Sequence, residues 1–458
     1  LPRKTPFRSQ IVANTCSDAG EAGLHPGALF SITMHPQVIG GDHRLMMLEQ
    51  LSNTMRSRDG VAFSTMGDYA DRWRTDNPLD QWITWGAPQA QSACRRDDTS
   101  KHQFRTETMI TVFRSTTHDP RERGREFGAH FAAKVQSNVA TYSAMFARLS
   151  ANRFDIAAAG QTALVATENF APALHAEMLG IADGAGVEPA LIGALNARTE
   201  ILGAIRAGAR GECSAVIHLP PELHAPVAVQ TWDWFQIFHD SWLVWEIPLA
   251  DGSMTKTMTE YGIVGKSGLN TRGLGLLFTI LHHANDGAGI GVPVHVAARA
   301  TLDGAQNIYR ASQLLASAAV TASSSINLVA YENSIGKAMS VELHPGGPSF
   351  ILPDAQGFVI HTNHFLAPEP ARNDTEPKSF PDTLLRHDLL RRRLGCYARP
   401  TTEDVLDVMR SLSGGEGAVC CSPEPGCDPA SAYATLSTVI LDVQNGILKV
   451  LKGSPCDQ

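Results

Sequence analysis

The sequence predicts an α/β protein in which two β-sheets are covered on their outer sides by helices, and three observations carry that prediction. Apolar residues recur at helical spacing through some stretches and in β-branched, turn-bounded runs through others. The two patterns follow one another as strands, helices and strands within one unit, with no repeat of solenoid period. A hydrophobic share of 43% over 458 residues, with 18% charged, is enough to bury a sizeable core and more than one folding unit.

The first segment, residues 1–86, contains "FSITMHPQVIGG" and then Leu45, Met46, Leu48, Leu51 and Met55 at helical spacing, "GVAFSTM" as a short strand, and another helix. This passage resembles the C-terminal end of polysaccharide deacetylases, whose barrel closes with a strand ending in a His-Pro pair like His35-Pro36. The Asp-Asp pair and the His-x-x-x-His of that family are missing. One histidine cannot hold a metal alone, so the segment is expected to be non-catalytic. Residues 87–107, including "APQAQSACRRDDTSKHQFRT", are polar and without pattern, which marks a linker.

Residues 108–212 read as a helical part. A strand and turn, "TMITVFRSTTHDP", leads into a helix with Phe127, Phe131, Val135, Val139 and Tyr142 on one face, started by Asp119 as N-cap and Pro120 in the first turn. Two more helical runs follow, "APALHAEMLGIADGAGVEP" and "ALIGALNARTEILGAI". Residues 213–458 open with strands. "SAVIHLP" and "PVAVQTWDWF" are expected to pair antiparallel. Gly-rich strands in "TKTMTEYGIVGKSGLNTRGLGLLFTI" and one helix, "VPVHVAARATLDGAQNIYRASQLLA", come next. Strands broken by "ENSIGK", "HPGGP" and "DAQG", then two helices, "PDTLLRHDLLRRRLG" and "TTEDVLDVMRSLSG", complete the middle of this part. The chain closes on "ATLSTVILDVQNGILKVLKG", where Asn445-Gly446 between two β-rich runs is a strong hairpin signal.

Charge and composition exclude several classes. A formal net charge of -8, with no run of Lys and Arg interleaved with aromatics, provides no field to gather phosphates, so nucleic acid is not an expected partner. No stretch of about 18 uninterrupted apolar residues spans a bilayer, and "LPRKTPFRSQ" lacks the apolar core of a secretory signal, so a cytoplasmic protein is expected. The eight cysteines, at 16, 94, 213, 396, 420, 421, 427 and 456, form no paired framework, which suits a reducing compartment. Cys420, Cys421 and Cys427 cluster without a CxxC pair or a nearby His, and no metal is expected there. His282 and His283 are adjacent in a strand-like run and point apart, which argues against a metal at that place too.

Cys213 in "GECSAV" poses the chemical question. As a buried thiol of ordinary acidity it is only a small hydrophobe. As a nucleophile it needs a base, and two are open. One is a histidine, with His218, His224 and His239 near in sequence. The other is its own α-amine, freed by cleavage of the preceding peptide bond, whose unperturbed pKa of about 7.7 to 8.0 lets it take the thiol proton near neutrality.

"LNARTE", "GECSAV", "QTWDWF", "TEYGIVGKSGLNTRGL" and "HTNHFL", in this order within residues 110–450, together resemble the acyl-CoA:6-aminopenicillanic acid acyltransferase family of the N-terminal nucleophile hydrolase superfamily. The resemblance implies a four-layer αββα sandwich and a precursor that cuts itself between Glu212 and Cys213, its two fragments remaining associated. It implies that Cys213 then carries an acyl group as a thioester, resolved by water or an acceptor amine. Asp233 matches the aspartate that holds the new α-amine, and Asn363 the amide that donates to the oxyanion. Asp382 and Arg386 match an Asp and Arg near the site, although their spacing of four residues also makes a local ion pair on a helix. Arg198 and Glu200 are expected to tie the helical part to the core. Of Trp232 and Trp234, which flank Asp233, one is expected in the core and the other in the wall of an acyl pocket.

No cofactor is implied, and the expected substrate is a small amide or an acyl-CoA acting as co-substrate. Two departures from the family pattern stand out. Ser431, Ala432 and Tyr433 occupy the place where the penicillin enzyme carries an Arg, which argues against the penicillin nucleus as acceptor, and Glu212 replaces a Gly before the nucleophile, which argues for slower processing. The ending "SPCDQ" is no peroxisomal address. Other functional readings are an uncut Cys-His hydrolase, and a non-catalytic fusion with a deacetylase-derived binding module.

Overall fold

The computed structural model describes residues 110–205, 212–221, 224–423, 426–428 and 430–457. The chain divides into two units, residues 1–103 and 104–458, and everything below belongs to the second. The deacetylase-like segment with His35, and the linker at 87–107, lie outside the described residues.

A short strand, β1 (Val112–Arg114), precedes six helices: α1 (Pro120–His130), α2 (Ala132–Leu149), α3 (Ile156–Phe170), α4 (Pro172–Ala185), α5 (Pro189–Asn196) and α6 (Arg198–Ala204). Asp119 caps α1, its carboxylate accepting the Glu122 N–H at 2.8 Å, with Pro120 in the first turn. The single helix read from the sequence breaks at Phe131, where φ is -114° and the ring packs against Phe113, Phe127 and Tyr261. Here tertiary aromatic contacts override local periodicity. α1 and α4 cross closely because glycines face each other: a Cβ on Gly124 would stand 2.0 Å from the Glu177 carbonyl oxygen, and one on Gly180 2.1 Å from that of Arg121.

The strands then begin: β2 (Glu212–His218), β3 (Val227–Phe235), β4 (Trp242–Pro248), β5 (Met254–Glu260), β6 (Ser267–Asn270) and β7 (Leu274–Ile280). Two helices follow, α7 (Val294–Gly304) and α8 (Ile308–Ala316), in place of the one expected. Asn307 divides them by accepting the Arg310 N–H at 2.8 Å as an N-cap. Next come β8 (Ser324–Glu332), β9 (Ile335–His344), β10 (Gly347–Ile351) and β11 (Phe358–His361). α9 (Glu376–Ser379), α10 (Asp382–Leu394), α11 (Thr402–Met409), β12 (Tyr433–Asp442) and β13 (Ile447–Lys452) complete the order.

One sheet has eight strands in the order β1-β4-β5-β6-β7-β8-β9-β10, parallel only at β1–β4; the other has five, in the order β11-β2-β3-β12-β13. The two sheets face each other through β2 and β3 on β7, β12 on β6 and β13 on β5. Helices α7 and α8 cover the outer face of the larger sheet, and α10 and α11 that of the smaller. The result is the αββα sandwich expected. The main core lies between the sheets and under the first helices, while Val216, Val229, Ile360 and Ile440 pack outward against α10 and α11. The hairpin at Asn445-Gly446 exists, but Asp442 pairs with Ile447 across a four-residue loop, with Gly446 at φ +64°.

The helical part is bolted to the rest by buried charge. Glu177 of α4 accepts from Arg123 Nε at 2.6 Å and from Arg299 of α7 at 2.9 and 3.1 Å, so three helices share one carboxylate. Among the described residues no helix is long and apolar enough to cross a membrane.

Candidate active site

Cys213 is the second residue of β2, only 1% exposed, and points into the core between the sheets. Its cross-strand partner is Trp232 of β3, and Glu212 faces Asp233. Both backbone groups of Cys213 are held by side chains. Its N–H donates to Asn363 Oδ1 at 2.8 Å, and its carbonyl accepts from Arg386 Nη1 at 2.8 Å.

Asn363, just past the end of β11, is itself fixed from three sides. Its N–H donates to Thr383 Oγ1 at 2.9 Å, its Nδ2 donates to the Ile280 carbonyl at the end of β7 at 2.9 Å, and Arg386 Nη2 donates to its Oδ1 at 3.1 Å. Two donors on one side and a carbonyl on the other allow only this orientation of the amide. The expected donor to an oxyanion is thus an acceptor toward Cys213, because the Cys213 amide hydrogen needs a partner in a dry site.

Arg386, 2% exposed on α10, also donates to Ser214 Oγ at 3.1 Å. Its contacts with Asp382 are longer, at 3.4 Å. Both readings of "PDTLLRH" are therefore present together, with the guanidinium turned chiefly toward Cys213. Asp382 is the first residue of α10, after Pro381 at the cap.

Asp233 is fully buried, and its backbone is hydrogen-bonded to the Cys213 sulfur. Burial pushes the Cys213 thiol up to about 11, the Asp233 carboxylate adds to the rise, and Lys266 and Arg386 oppose it. The β12 register shifts between Thr435, opposite Asp233, and Ser437, opposite Trp232, so a bulge lies beside this pair. Trp232 and Trp234 are both buried on one face of β3, as residues two apart on a strand must be. The Trp234 indole donates to the Tyr142 hydroxyl at 2.9 Å.

None of the three sequence-near histidines serves the thiol. His218 lies five residues along the same strand, about 17 Å at strand rise and on the opposite face, stacked near Phe358. His224 is exposed, and the half-exposed His239 pairs with Asp240.

Residues 225–457 match the family described as acyl-coenzyme A:6-aminopenicillanic acid acyl-transferase, in a segment that begins just downstream of Cys213 and includes Asp233, Asn363 and Arg386. The chain belongs to this family. It is 28% identical over 217 residues to the acyl-coenzyme A:6-aminopenicillanic-acid-acyltransferase 40 kDa form of Emericella nidulans, a match covering 47% of this chain and 58% of that one. Among solved structures, penicillin V acylase from Agrobacterium tumefaciens aligns at a TM-score of 0.37 with 14% identity, over 52% of this chain and 83% of that chain.

Beside these residues lies a small pocket lined among others by Thr199, Leu202, Trp234, Ile280, His282 and Asp286. It touches the site at two points: Trp234 adjoins Asp233, and the carbonyl of Ile280 holds Asn363. His282 and His283 lie past the end of β7 rather than in a strand, His282 Nδ1 meeting Glu376 Oε2 at 2.5 Å while the His283 ring lies 5.3 Å from that of His344. Among the described residues no group of three or more His, Cys, Asp or Glu could hold a metal.

Sequence reasoning missed a buried cluster on the tryptophan face. Glu260, at the end of β5, accepts from the Tyr142 hydroxyl at 2.5 Å and meets Arg198 Nη2 at 3.1 Å and Lys266 Nζ at 3.4 Å. The Arg198 guanidinium lies 4.2 Å from the Trp234 ring centre, and Lys266 Nζ 3.5 Å from that of Trp232. "TEYGIVGK" contains both Glu260 and Lys266, but nothing in its pattern separates them from exposed strand charges. Arg198 and Glu200 are fully buried and do tie α6 to the core, Glu200 Oε1 accepting the Val294 N–H at 2.8 Å. Burial raises the Glu200 carboxyl to about 8.

Proposed function

We propose that this protein is a self-processing cysteine N-terminal nucleophile enzyme that cleaves its Glu212–Cys213 bond and then transfers or hydrolyses an acyl group through a thioester on Cys213. One observation carries the reading: a buried cysteine whose N–H and carbonyl are both gripped by side chains, Asn363 and Arg386, with Asp233 beside it. A merely structural thiol needs no such grip.

Cleavage converts the Cys213 amide into an α-amine, which takes the thiol proton. The Asp233 carboxylate stabilises the resulting ammonium, so the ion pair replaces a thiol that is hard to ionise in the uncut chain. Asn363 Oδ1 keeps hold of the amine nitrogen. Its Nδ2 carries a second hydrogen beyond the one used by Ile280, and that hydrogen donates to the oxyanion of the tetrahedral intermediate. Arg386 holds the Cys213 carbonyl and Asn363 in one frame.

The acyl group is bound at the pocket walled by Leu202, Trp234 and Ile280. Acyl-CoA or a small amide supplies it; water or an amine removes it. Glu177 with Arg123 and Arg299, and Glu260 with Arg198, hold the two fragments together after the cut.

The test is adduct mapping on the purified protein with phenylacetyl-CoA and with p-nitrophenyl phenylacetate as probes. The expected result is one acyl group on the peptide that begins at Cys213, absent from Cys213→Ala. An adduct on another residue, or turnover by Cys213→Ala, overturns the proposal.

A further inference from the structure

The self-processing reading leaves one chemical problem, on which the following rests. Before the cut there is no α-amine, so the first turnover needs another acceptor for the thiol proton. We propose that Lys266 is that acceptor, a neutral amine standing over Trp232 on the side of the strand pair that bears the Cys213 sulfur.

Geometry sets the side. Cys213 and Trp232 are direct cross-strand partners, so their side chains share a face, and Lys266 Nζ stands 3.5 Å from the centre of the Trp232 ring. Asp233, the next residue on β3, projects from the opposite face. Charge sets the protonation state. Lys266 is 1% exposed and shares the Glu260 carboxylate with Arg198, so one anion stands between two basic groups in a dry interior. A second uncompensated cation there is costly, and of the two only the lysine can give up its proton.

The other groups facing Lys266 do not supply the missing anion. Burial holds the Tyr142 phenol from α2 well above its usual range and so neutral, and burial with the Arg198 guanidinium keeps His295 from α7 well below its own. Cys213 from β2 is an un-ionised thiol at neutral pH. Burial and the Arg198 guanidinium hold the Lys266 amine itself well below the ordinary lysine range, in agreement with the charge count.

The step balances. Lys266 Nζ takes the proton of the Cys213 thiol, and the sulfur attacks the Glu212 carbonyl carbon. The peptide C–N bond breaks as its nitrogen receives that proton back from the lysine ammonium. A thioester joins Glu212 to the sulfur, and water hydrolyses it to a Glu212 carboxylate and a free thiol. Thereafter the α-amine is the base and Lys266 is no longer needed for proton transfer.

The experiment follows self-cleavage of the full chain by intact mass from pH 5 to 9 for wild type, Lys266→Met and Lys266→Arg, with Cys213→Ala as the uncut reference for near-ultraviolet dichroism. The expected result is a wild-type rate that rises with pH and levels as Lys266 loses its proton. Both variants keep the reference spectrum, cleave at least about a hundredfold more slowly and lack that inflection. Variants that cleave at the wild-type rate, or slowly but with the same inflection, overturn the assignment. A wild-type chain that stays whole while active overturns the self-processing reading, and this inference with it.

Discussion

Removing Arg386 tests the frame that holds Cys213. In Arg386→Met the Cys213 carbonyl, the Ser214 hydroxyl and Asn363 Oδ1 lose donors at 2.8, 3.1 and 3.1 Å, and Asp382 loses contacts at 3.4 Å. Hydrogen bonds from a charged donor contribute about 1.5–3 kcal/mol each, and they do not add when one side chain makes them all. Asn363 Oδ1 keeps the Cys213 N–H, and Asp382 is partly exposed, so both losses are softened. The expected destabilisation is about 3–5 kcal/mol, in the range for a broken buried charge network. If about 2 kcal/mol of this acts on the geometry of the reacting groups, acylation slows by roughly thirtyfold, since 1.36 kcal/mol is a tenfold change in rate. Arg386→Lys keeps the charge but presents one point instead of a fork, and falls between. Urea unfolding gives the first quantity, read as a midpoint shift at unchanged slope, and the rate of p-nitrophenol release gives the second. An Arg386→Met protein within about 0.5 kcal/mol of wild type and equally fast at acylation refutes the frame as described.

Other outcomes follow from the same structure. Glu177→Gln strips the shared carboxylate from two buried guanidinium groups and is expected to cost about 3–5 kcal/mol, with the cut fragments separating at lower urea than wild type on size exclusion. His364 and His387 are pushed down by burial to about 3 and about 4, so between these values and about 6.5 the unfolded chain binds protons that the folded one does not. Stability therefore falls as pH drops from 6.5 toward 4, and His364→Gln flattens that slope in pH-dependent urea midpoints. In Lys266→Met, if it remains uncut, burial keeps the Cys213 thiol un-ionised and resistant to iodoacetamide near neutral pH, whereas the matured thiol reacts there; equal rates contradict the ionisation scheme. The Cys420 and Cys456 sulfurs stand 2.9 Å apart. Oxidised glutathione is expected to join them, two thiols giving two protons and two electrons to its disulfide, with the linked peptide two hydrogens lighter; two fully alkylated cysteines after that treatment contradict it.

The strands around Cys213 and Trp232 were readable because β-branched runs bounded by Pro and Gly leave few alternatives, and the antiparallel pairing of β2 and β3 followed from their short connection. Helix α3 and strand β4 went unread, the first because its Ala- and Thr-rich run has little periodicity, the second because "WLVWEIP" is apolar on both faces and shows no alternation. Cys213, Asp233 and Asn363 were legible only through matched blocks; taken singly, each is a common core or turn residue. Glu260 and Lys266 could not be found by pattern at all. Their meaning arises when β5, β6 and α6 fold onto the tryptophan face, a juxtaposition between residues far apart in sequence. The same holds for the Ile280 carbonyl, which orients an amide just past the end of a strand of the other sheet.

The central claim is that Cys213 becomes an amino terminus. Amino-terminal sequencing with intact-mass measurement on active, purified protein tests it most directly. Two polypeptides are predicted, one of them beginning Cys-Ser-Ala-Val from Cys213. A single polypeptide, continuous through Glu212 and fully active, contradicts it.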